Sequence, residues 1–277
     1  MTITCKKLNI HPALQEIVSC MVLTEATFPD DTAHRFCFHP PTPQTGICFH
    51  INSFISVKKQ HQDAFEVQPQ TVLVGPQITP VTINIGQNYK AIRLGFHPGG
   101  LYRLLGTDLG QLTDTSTNAE AVFGAEMRTI NQQLNEADND QALAKVIETF
   151  LLKKICSATI ALPFDAAMME LVRQDGNLSM KAAADLSCLS LRQFQRQSHS
   201  RIGMSPKMFA RIARFSKAYR LHEKLPQLTW TQIAHECGYS EQMQLIADVK
   251  KFAGSNPKKI EKAIALSAFK MQANLVL

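Results

Sequence analysis

The stretch CLSLRQFQRQSHSRIGMSPK, residues 188–207, decides the fold of the second half of this 277-residue chain. Ser190 is a favourable residue before a helix, and Gln193 three positions later completes a capping box. The spacing therefore predicts a helix over Leu191–Ile202. Gly203 then predicts its end, because glycine readily adopts the left-handed backbone that follows many helices.

The residues on either side of this helix predict a helix-turn-helix. Residues 182–186 read as part of a short helix, and residues 187–189 as a tight turn. Downstream, Ser205 is a good cap and a proline follows it in the first turn, which predicts that a new helix begins there. In a helix-turn-helix, the second helix of the pair enters the major groove of DNA.

A near-repeat of this pattern follows about 50 residues later. Thr229 and Gln232 form another capping box, a short helix is predicted over Trp230–Glu236, and the next helix begins near Ser240 or Glu241. The offset is 50 residues up to the turn and 51 after it, which pairs Ala184 with Ala234, Cys188 with Gly238, Leu189 with Tyr239, Phe194 with Leu245, Gly203 with Gly254, and Pro206 with Pro257. The chain therefore contains two such units.

Charge is distributed unevenly between the two halves of the chain. Residues 1–164 carry 12 Lys and Arg against 14 Asp and Glu, whereas residues 165–277 carry 17 against 9. No Asp or Glu occurs from residue 186 to residue 222, a stretch that holds eight Lys and Arg. This distribution is typical of a nucleic-acid-binding domain joined to something else, and a basic domain could equally meet acidic lipid or an acidic protein.

The first predicted recognition helix has a polar face suited to reading bases. Phe194 should face inward, which leaves Arg192, Gln195 and Arg196 on the opposite side at spacing i, i+3 and i+4. Arg can bind guanine through two hydrogen bonds, and Gln can bind adenine. We therefore expect base contacts from these three side chains, and the simpler alternative is a solvated amphipathic helix.

The DNA-binding domain of the AraC/XylS family of bacterial transcription regulators closely resembles CLSLRQFQRQSHSRIGMSPKMFARIARFSKA and TWTQIAHECGYSEQMQLIADVKKFAGSNPKKI. The resemblance covers about residues 164–262. It implies two units joined by a long helix, here Pro206–Lys224, with recognition helices that enter successive major-groove segments about one turn of DNA apart. It also implies base contacts at Arg192, Gln195 and Arg196 in the first unit, and at Gln242, Met243 and Ala247 in the second.

Two departures from the family pattern shape the expectation for the second unit and for the packing. The family usually has Arg where Ala247 stands, and Met243 offers no forked hydrogen bond. We therefore expect the second helix to read fewer bases, with a contribution from Gln244, and to dock mainly through shape and phosphates. Ser198 replaces a usual buried aromatic residue, so that packing there should be loose or filled by Met204, Met208 or Phe209.

Phosphate contacts should supply much of the affinity for DNA. Lysines flank the second recognition helix, and helix N-termini offer backbone amides to phosphate. The candidate phosphate-contacting residues are Ser190, Arg201, Ser205, Lys207, Thr229, Lys250, Lys251 and Lys258. For each lysine the alternative is a solvated surface charge.

The first hundred residues consist of short runs rich in Val, Ile, Phe and Thr, punctuated by Pro and Gly, which predicts an antiparallel sheet, sandwich or barrel. Helices are predicted near Leu101–Leu105 and over Ala119–Glu136 and Gln141–Ile155. The segment RLGFHPGGLYRLLG, residues 93–106, resembles the N-terminal domains of a subset of these regulators, which implies effector sensing or dimerisation.

We therefore predict a multidomain α+β protein. A strand-rich N-terminal sensing or dimerisation domain with two or three helices occupies residues 1–155, and a linker occupies residues 156–163. An all-α AraC-type DNA-binding domain of two helix-turn-helix units joined by a long helix occupies residues 164–270.

The N-terminal half also holds histidines and cysteines that a paired-strand arrangement could bring together as metal ligands: His34, Cys37, His39, Cys48 and His50. Alternation along a strand places Cys37 with His39 on one face and Cys48 with His50 on one face. We favour core cysteines and histidines that line a surface or pocket. The alternatives are a metal-binding cupin-like enzyme domain, or a DNA-repair domain, fused to the DNA-binding module.

Taken together, these patterns predict a transcription regulator that is not an enzyme and needs no metal or cofactor. G-x-S-x-G, H-E-x-x-H and GxxxxGK[ST] motifs are absent from the sequence. The expected partners are double-stranded DNA and an unidentified small-molecule effector, with RNA polymerase and a second copy of the chain as further candidates. The single, dispersed cysteines predict free thiols, and the absence of a long apolar run or secretory segment predicts a cytoplasmic location.

Overall fold

The computed structural model describes residues 2–28 and 35–266. The strands are β1 Thr2–Leu8, β2 Val18–Thr27, β3 Phe36–His39, β4 Gly46–His50, β5 Ser56–Lys59, β6 Glu66–Val67, β7 Thr71–Val74, β8 Val81–Asn84, β9 Asn88–Phe96 and β10 Ser116–Asn118. The α-helices are α1 Gly100–Leu105, α2 Ala119–Phe123, α3 Glu126–Glu136, α4 Asp140–Ile155, α5 Pro163–Arg173, α6 Met180–Leu186, α7 Leu191–Ile202, α8 Pro206–Lys224, α9 Trp230–Glu236, α10 Gln242–Phe252 and α11 Pro257–Leu266.

Two antiparallel sheets build the N-terminal half. The larger sheet has the strand order β1-β2-β9-β4-β7-β10, and the smaller has the order β3-β8-β5-β6. The longest pairing joins β2 to β9, with Val18 opposite Phe96 at one end and Thr27 opposite Asn88 at the other. The prediction of a strand-rich, antiparallel first half is confirmed.

Alternation along β4 separates a packed core from a cavity. Ile47 and Phe49 are fully buried in a core that also contains residues of α1, α3 and α4. Cys48 and His50 point the other way and line a cavity between the two sheets, as the side-chain period of two requires. The expectation that Cys48 and His50 share one face is therefore confirmed.

The helices of the N-terminal half differ in one respect from the sequence prediction. A single helix was predicted over Ala119–Glu136, but the structure divides it into α2 and α3. The break falls at Gly124, whose φ of 77° is incompatible with a continuing right-handed helix. The described part of this half consequently has four α-helices, not the two or three predicted.

The described part of the C-terminal half, up to residue 266, contains helices and no strands, and it includes both predicted helix-turn-helix units. In the first, Ser190 Oγ accepts from the Gln193 amide at 3.3 Å, while Gln193 Oε1 accepts from the Ser190 amide at 3.0 Å. In the second, Thr229 and Gln232 make the same reciprocal bonds at 3.3 and 2.9 Å. Both predicted capping boxes, and the long connecting helix α8, are confirmed.

Packing beneath the first recognition helix is closed despite the small residue at position 198. Ser198 is fully buried, and its hydroxyl donates to the Met204 carbonyl at 2.7 Å. Met204 and Phe209 are buried in the same core cluster. Met204 and Phe209 thus belong to the buried core of this domain, and the contact made by Ser198 itself is with the Met204 backbone.

All seven cysteines are free thiols, as the sequence predicts. The helices within residues 2–28 and 35–266 include none with the length and apolar character needed to cross a bilayer.

The turns between the two helices of each unit have an equivalent hydrogen bond. The Leu189 amide donates to the Ala184 carbonyl at 3.0 Å, and the Tyr239 amide donates to the Ala234 carbonyl at 3.0 Å. This bond pattern requires a left-handed residue within the turn. Gly238 supplies it in the second unit with φ 73°, but Cys188 supplies it in the first with φ 53°.

Replacing Cys188 with glycine should stabilise the protein. The left-handed conformation strains a residue that has a Cβ, so Cys188→Gly should raise the free energy of unfolding by about 1 kcal/mol, measured by urea denaturation. Cys188→Ala is the matched control, because it removes the thiol and keeps the Cβ. Equal gains from both variants would show that the thiol, not the backbone conformation, is responsible.

Candidate nucleic-acid interface

The N-terminal part of α7 presents the three side chains predicted to read bases. Phe194 is fully buried, and its ring centroid lies 5.2 Å from that of Phe164 on α5. Arg192, Gln195 and Arg196 are exposed on the other side of the helix. Within the described part of the chain, neither arginine has an ion-pair partner, so both guanidinium groups are available to a ligand.

The equivalent face of α10 is exposed but has no positive charge at the positions predicted to read bases. Gln242, Met243 and Gln244 are all exposed, and 66% of Met243 is accessible to solvent. Leu245, the counterpart of Phe194, is fully buried. Glu241, the residue that precedes α10, makes no side-chain capping bond, in contrast to the capping box of α7.

The candidate phosphate-contacting residues fall into two groups. Four lysines are exposed: Lys207, Lys250, Lys251 and Lys258. Three hydroxyl residues are helix caps, and each accepts from a backbone amide of its own helix: Ser190, Ser205 and Thr229. The N-termini of α7, α8 and α9 follow these caps, and a helix N-terminus favours an anion through its amides and its dipole.

Arg201 does not lie where the sequence prediction placed it. Its Nε and Nη2 atoms donate to the two carboxylate oxygens of Asp165 at 3.0 and 2.6 Å. Both side chains are 8% exposed, and the guanidinium carbon lies 4.5 Å from the ring centroid of Tyr102 in α1. Arg201 is therefore withdrawn from the phosphate-contacting set, because its donors face a buried carboxylate.

Several other cations of the acid-free stretch are also used inside the protein. Arg211 pairs with Asp248 at 2.5 Å, and Lys217 pairs with Asp175 at 2.8 Å. Arg214 Nη2 donates to the Gly176 carbonyl at 2.7 Å. Arg192, Arg196 and Lys207 remain exposed without an ion pair among the described residues. Within this acid-free stretch, the exposed cations without an ion pair therefore lie at the start of α7 and the start of α8.

The N-terminal half contacts the end of both recognition helices at positions related by the sequence repeat. A Cβ added to Gly203 would lie 2.6 Å from Cγ of Pro76, and Thr113 Oγ1 donates to the Gly203 carbonyl at 2.8 Å. A Cβ added to Gly254, 51 residues later, would lie 2.6 Å from Nε2 of Gln60. The N-terminal half therefore contacts the C-terminal ends of both recognition helices. The starts of α7 and α10 remain exposed.

The cavity between the two sheets is the second candidate site. His39, Cys48 and His50 line it, together with Arg93 from β9. Burial, reinforced by the charge of Arg93, lowers the pKa of His39 to about 3, and burial lowers the pKa of His50 to about 4. Burial raises the pKa of the Cys48 thiol, an effect that Arg93 opposes. Both histidines are therefore neutral at pH 7.

The structure brings part of the predicted His and Cys group together. His39, Cys48 and His50 share the cavity, whereas Cys37 lies in a neighbouring apolar cluster. His34 lies outside the described residues. Over residues 2–28 and 35–266, no three His, Cys, Asp or Glu side chains are arranged to hold a metal ion. Sequence reasoning missed Arg93, although its place in a strand of alternating pattern, AIRLGF, marked it as facing away from the core.

Two family models match the chain. A helix-turn-helix domain matches residues 183–263, and a domain of unknown function, DUF6597, matches residues 7–118. No curated protein matches.

Among solved structures, ToxT from Vibrio cholerae O395 is 12% identical with a TM-score of 0.48, over 90% of this chain and 97% of that chain. Wild-type ToxT from Vibrio cholerae strain SCE256, solved with a bound unsaturated fatty acid, is 14% identical with a TM-score of 0.45, over 87% of this chain and 94% of that chain.

Truncating Arg201 should destabilise the protein more than it affects DNA binding. Arg201→Ala leaves Asp165 as an unpaired buried charge, so the free energy of unfolding should fall by about 3–5 kcal/mol in urea denaturation. Lys207→Ala, on an exposed side chain of the same domain, should change it by less than about 0.5 kcal/mol. A stable Arg201→Ala variant with weakened DNA binding would return Arg201 to the phosphate-contacting set.

Proposed function

Starting from the AraC-type helix-turn-helix domain formed by residues 183–263, we propose that this protein is a transcription regulator that reads two adjacent major-groove segments of double-stranded DNA. The observation that carries the proposal is the exposed triad Arg192, Gln195 and Arg196 at the start of α7. These side chains have the donors and acceptors that guanine and adenine edges require. Binding to chromosomal DNA would place the protein in the bacterial cytoplasm.

The two units should contribute unequally to recognition. The start of α7 combines a capping box with two exposed arginines that form no ion pair with any described residue, which supports direct reading of bases. The start of α10 offers Gln242, Met243 and Gln244, and these form fewer charge-assisted bonds. Lys250, Lys251 and Lys258 lie exposed around the second unit, which supports a docking role through phosphates.

The N-terminal half is proposed to make DNA binding respond to a small molecule. It encloses a cavity with polar groups on an apolar wall, an arrangement typical of ligand sites. It also touches the ends of α7 and α10 through the turns at Gly203 and Gly254. A change in the position of these contacts would alter the spacing of the two recognition helices.

A binding role is favoured over the cupin-like enzyme and DNA-repair alternatives because these contacts link the cavity domain directly to the DNA-reading helices.

Two further partners remain predictions from the sequence: RNA polymerase and a second copy of this chain.

Arg196 should discriminate between bases at one half of the site. Arg196→Ala should reduce the preference for the best sequence over its single-base variants by roughly 1–3 kcal/mol, measured by competition binding with a DNA library. Arg196→Lys is the matched control, since it keeps the charge and loses the planar fork. That control should retain most of the affinity for nonspecific DNA and lose the discrimination. An unchanged sequence preference in both variants would remove Arg196 from the base-reading set.

Lys250 should contribute to binding on all sequences equally. Lys250→Ala should weaken binding uniformly and reduce the slope of log K against log salt by about 1, because one phosphate contact is lost. Lys145→Ala, on an exposed lysine of α4, is the matched control and should leave the slope unchanged. A slope that matches the parent protein would identify Lys250 as a solvated surface charge.

A further inference from the structure

The cavity between the sheets is small and mostly apolar. Its volume is about 110 Å³, and its walls include Val22, Val57, Val72 and Ile83. A cavity of about 150 Å³ admits benzene, so this one suits a ligand body of roughly five to seven non-hydrogen atoms. The apolar walls favour a hydrocarbon body, because burying it removes apolar surface from water.

One formal charge faces this cavity. Arg93 is the single arginine among the described lining residues, and these include no Asp, Glu or Lys. His39 and His50 are neutral at pH 7, because burial holds the pKa values of both well below that pH. The field inside the described cavity is therefore positive, which favours a ligand with one negative charge.

Two histidines leave polar atoms unpartnered at the same place. His39 is 8% exposed and His50 is 3% exposed. His39 Nδ1, His50 Nδ1 and His50 Nε2 have no hydrogen-bond partner in the described part of the chain. Buried polar atoms of this kind are costly unless a partner satisfies them. Neutral His50 carries one N–H donor, so a ligand oxygen could accept a hydrogen bond from it.

Arg93 holds a neutral partner that an anion can replace. Its Nη1 atom donates to the side-chain oxygen of Gln44 at 2.5 Å, and the Gln44 side-chain nitrogen donates to Ser19 Oγ at 2.6 Å. A carboxylate is a stronger acceptor for a guanidinium than an amide oxygen, because both partners are then charged. The Arg93–Gln44 bond is thus a contact that an anionic ligand can take over.

We propose that this cavity binds a small monoanion with an apolar body, whose anionic oxygens accept hydrogen bonds from Arg93 in place of the Gln44 side chain. The inference rests on the proposed effector role of the N-terminal half. Gln44 also lines the cleft between that half and helices α5 and α8. Release of Gln44 from Arg93 is therefore a direct route from cavity occupancy to the DNA-binding domain.

A matched pair of probes tests the charge requirement. Isovalerate and isovaleramide have the same size and shape, and only the first is an anion. Calorimetric titration of the full chain should show the amide binding about tenfold more weakly or worse, because hydrogen bonds to charged groups are the stronger ones. Acetate, which lacks the apolar body, should also bind more weakly than isovalerate. Equal binding of acid and amide, or no binding of either, would overturn the proposal.

Two substitutions test the site. Arg93→Met removes the charge at similar length and should abolish the preference for isovalerate over its amide. Gln44→Glu places a carboxylate beside Arg93 and should weaken isovalerate binding about tenfold or more, since the anion would then compete with a charged neighbour. Thermal unfolding of both variants checks that they fold. If a folded Gln44→Glu variant binds isovalerate as the parent does, the exchange of partners at Arg93 is wrong.

These titrations contain no DNA, which separates the two claims. A failed probe series would reject the ligand class while the base-reading role of α7 stood on its own tests. Conversely, isovalerate that binds without changing affinity for the selected DNA would support the site and reject the proposed effector role.

Discussion

The buried ion pair between Asp165 and Arg201 fixes how the first recognition helix sits on the rest of the protein. Arg201 comes from the last turn of α7, and Asp165 comes from the first turn of α5, where its carboxylate also accepts from the Leu162 amide at 2.9 Å. Tyr102 of the N-terminal half covers the guanidinium. Because breaking such a pair leaves an uncompensated buried charge, the position of α7 relative to both halves is tightly constrained.

That constraint changes how the positive charge of the C-terminal half should be understood. The acid-free stretch holds eight cations, but acids elsewhere in the chain, at Asp165, Asp175 and Asp248, neutralise three of them. The positive charge that remains available to DNA lies at the start of α7, at the start of the connecting helix α8, and in the lysines around α10. A net charge therefore overstates the DNA-binding surface, whereas the positions of the unpaired cations locate it.

Local features of the C-terminal half could be predicted from the sequence because they depend on neighbours in the chain. The capping boxes, the left-handed glycines and the inward position of Phe194 all follow from spacings of three or four residues. The burial of Arg201 could not be predicted in the same way. Its partner lies 36 residues upstream, and only the packing of α5 against α7 brings the two side chains together.

The N-terminal half shows the same division between local and distant causes. Alternation along β4 correctly placed Cys48 and His50 on one face. It could not show that Arg93 of the neighbouring strand β9 lines the same cavity, or that the smaller sheet covers it. The division of the predicted helix at Gly124 was missed because helical periodicity continues across the break. The sequence consequently indicated the shared face of Cys48 and His50 and the capped starts of α7 and α9, while the cavity and the contact between the halves required the assembled structure.

Selection of bound DNA fragments by the full chain would show how the two recognition helices share the reading of DNA. We expect enriched sites with two conserved blocks whose centres lie about 10 base pairs apart, because the two recognition helices are proposed to enter successive major-groove segments. The block read by α7 should carry more sequence information than the block read by α10. Selected fragments with no common sequence, or with the stronger block assigned to α10 by substitution, would contradict this account.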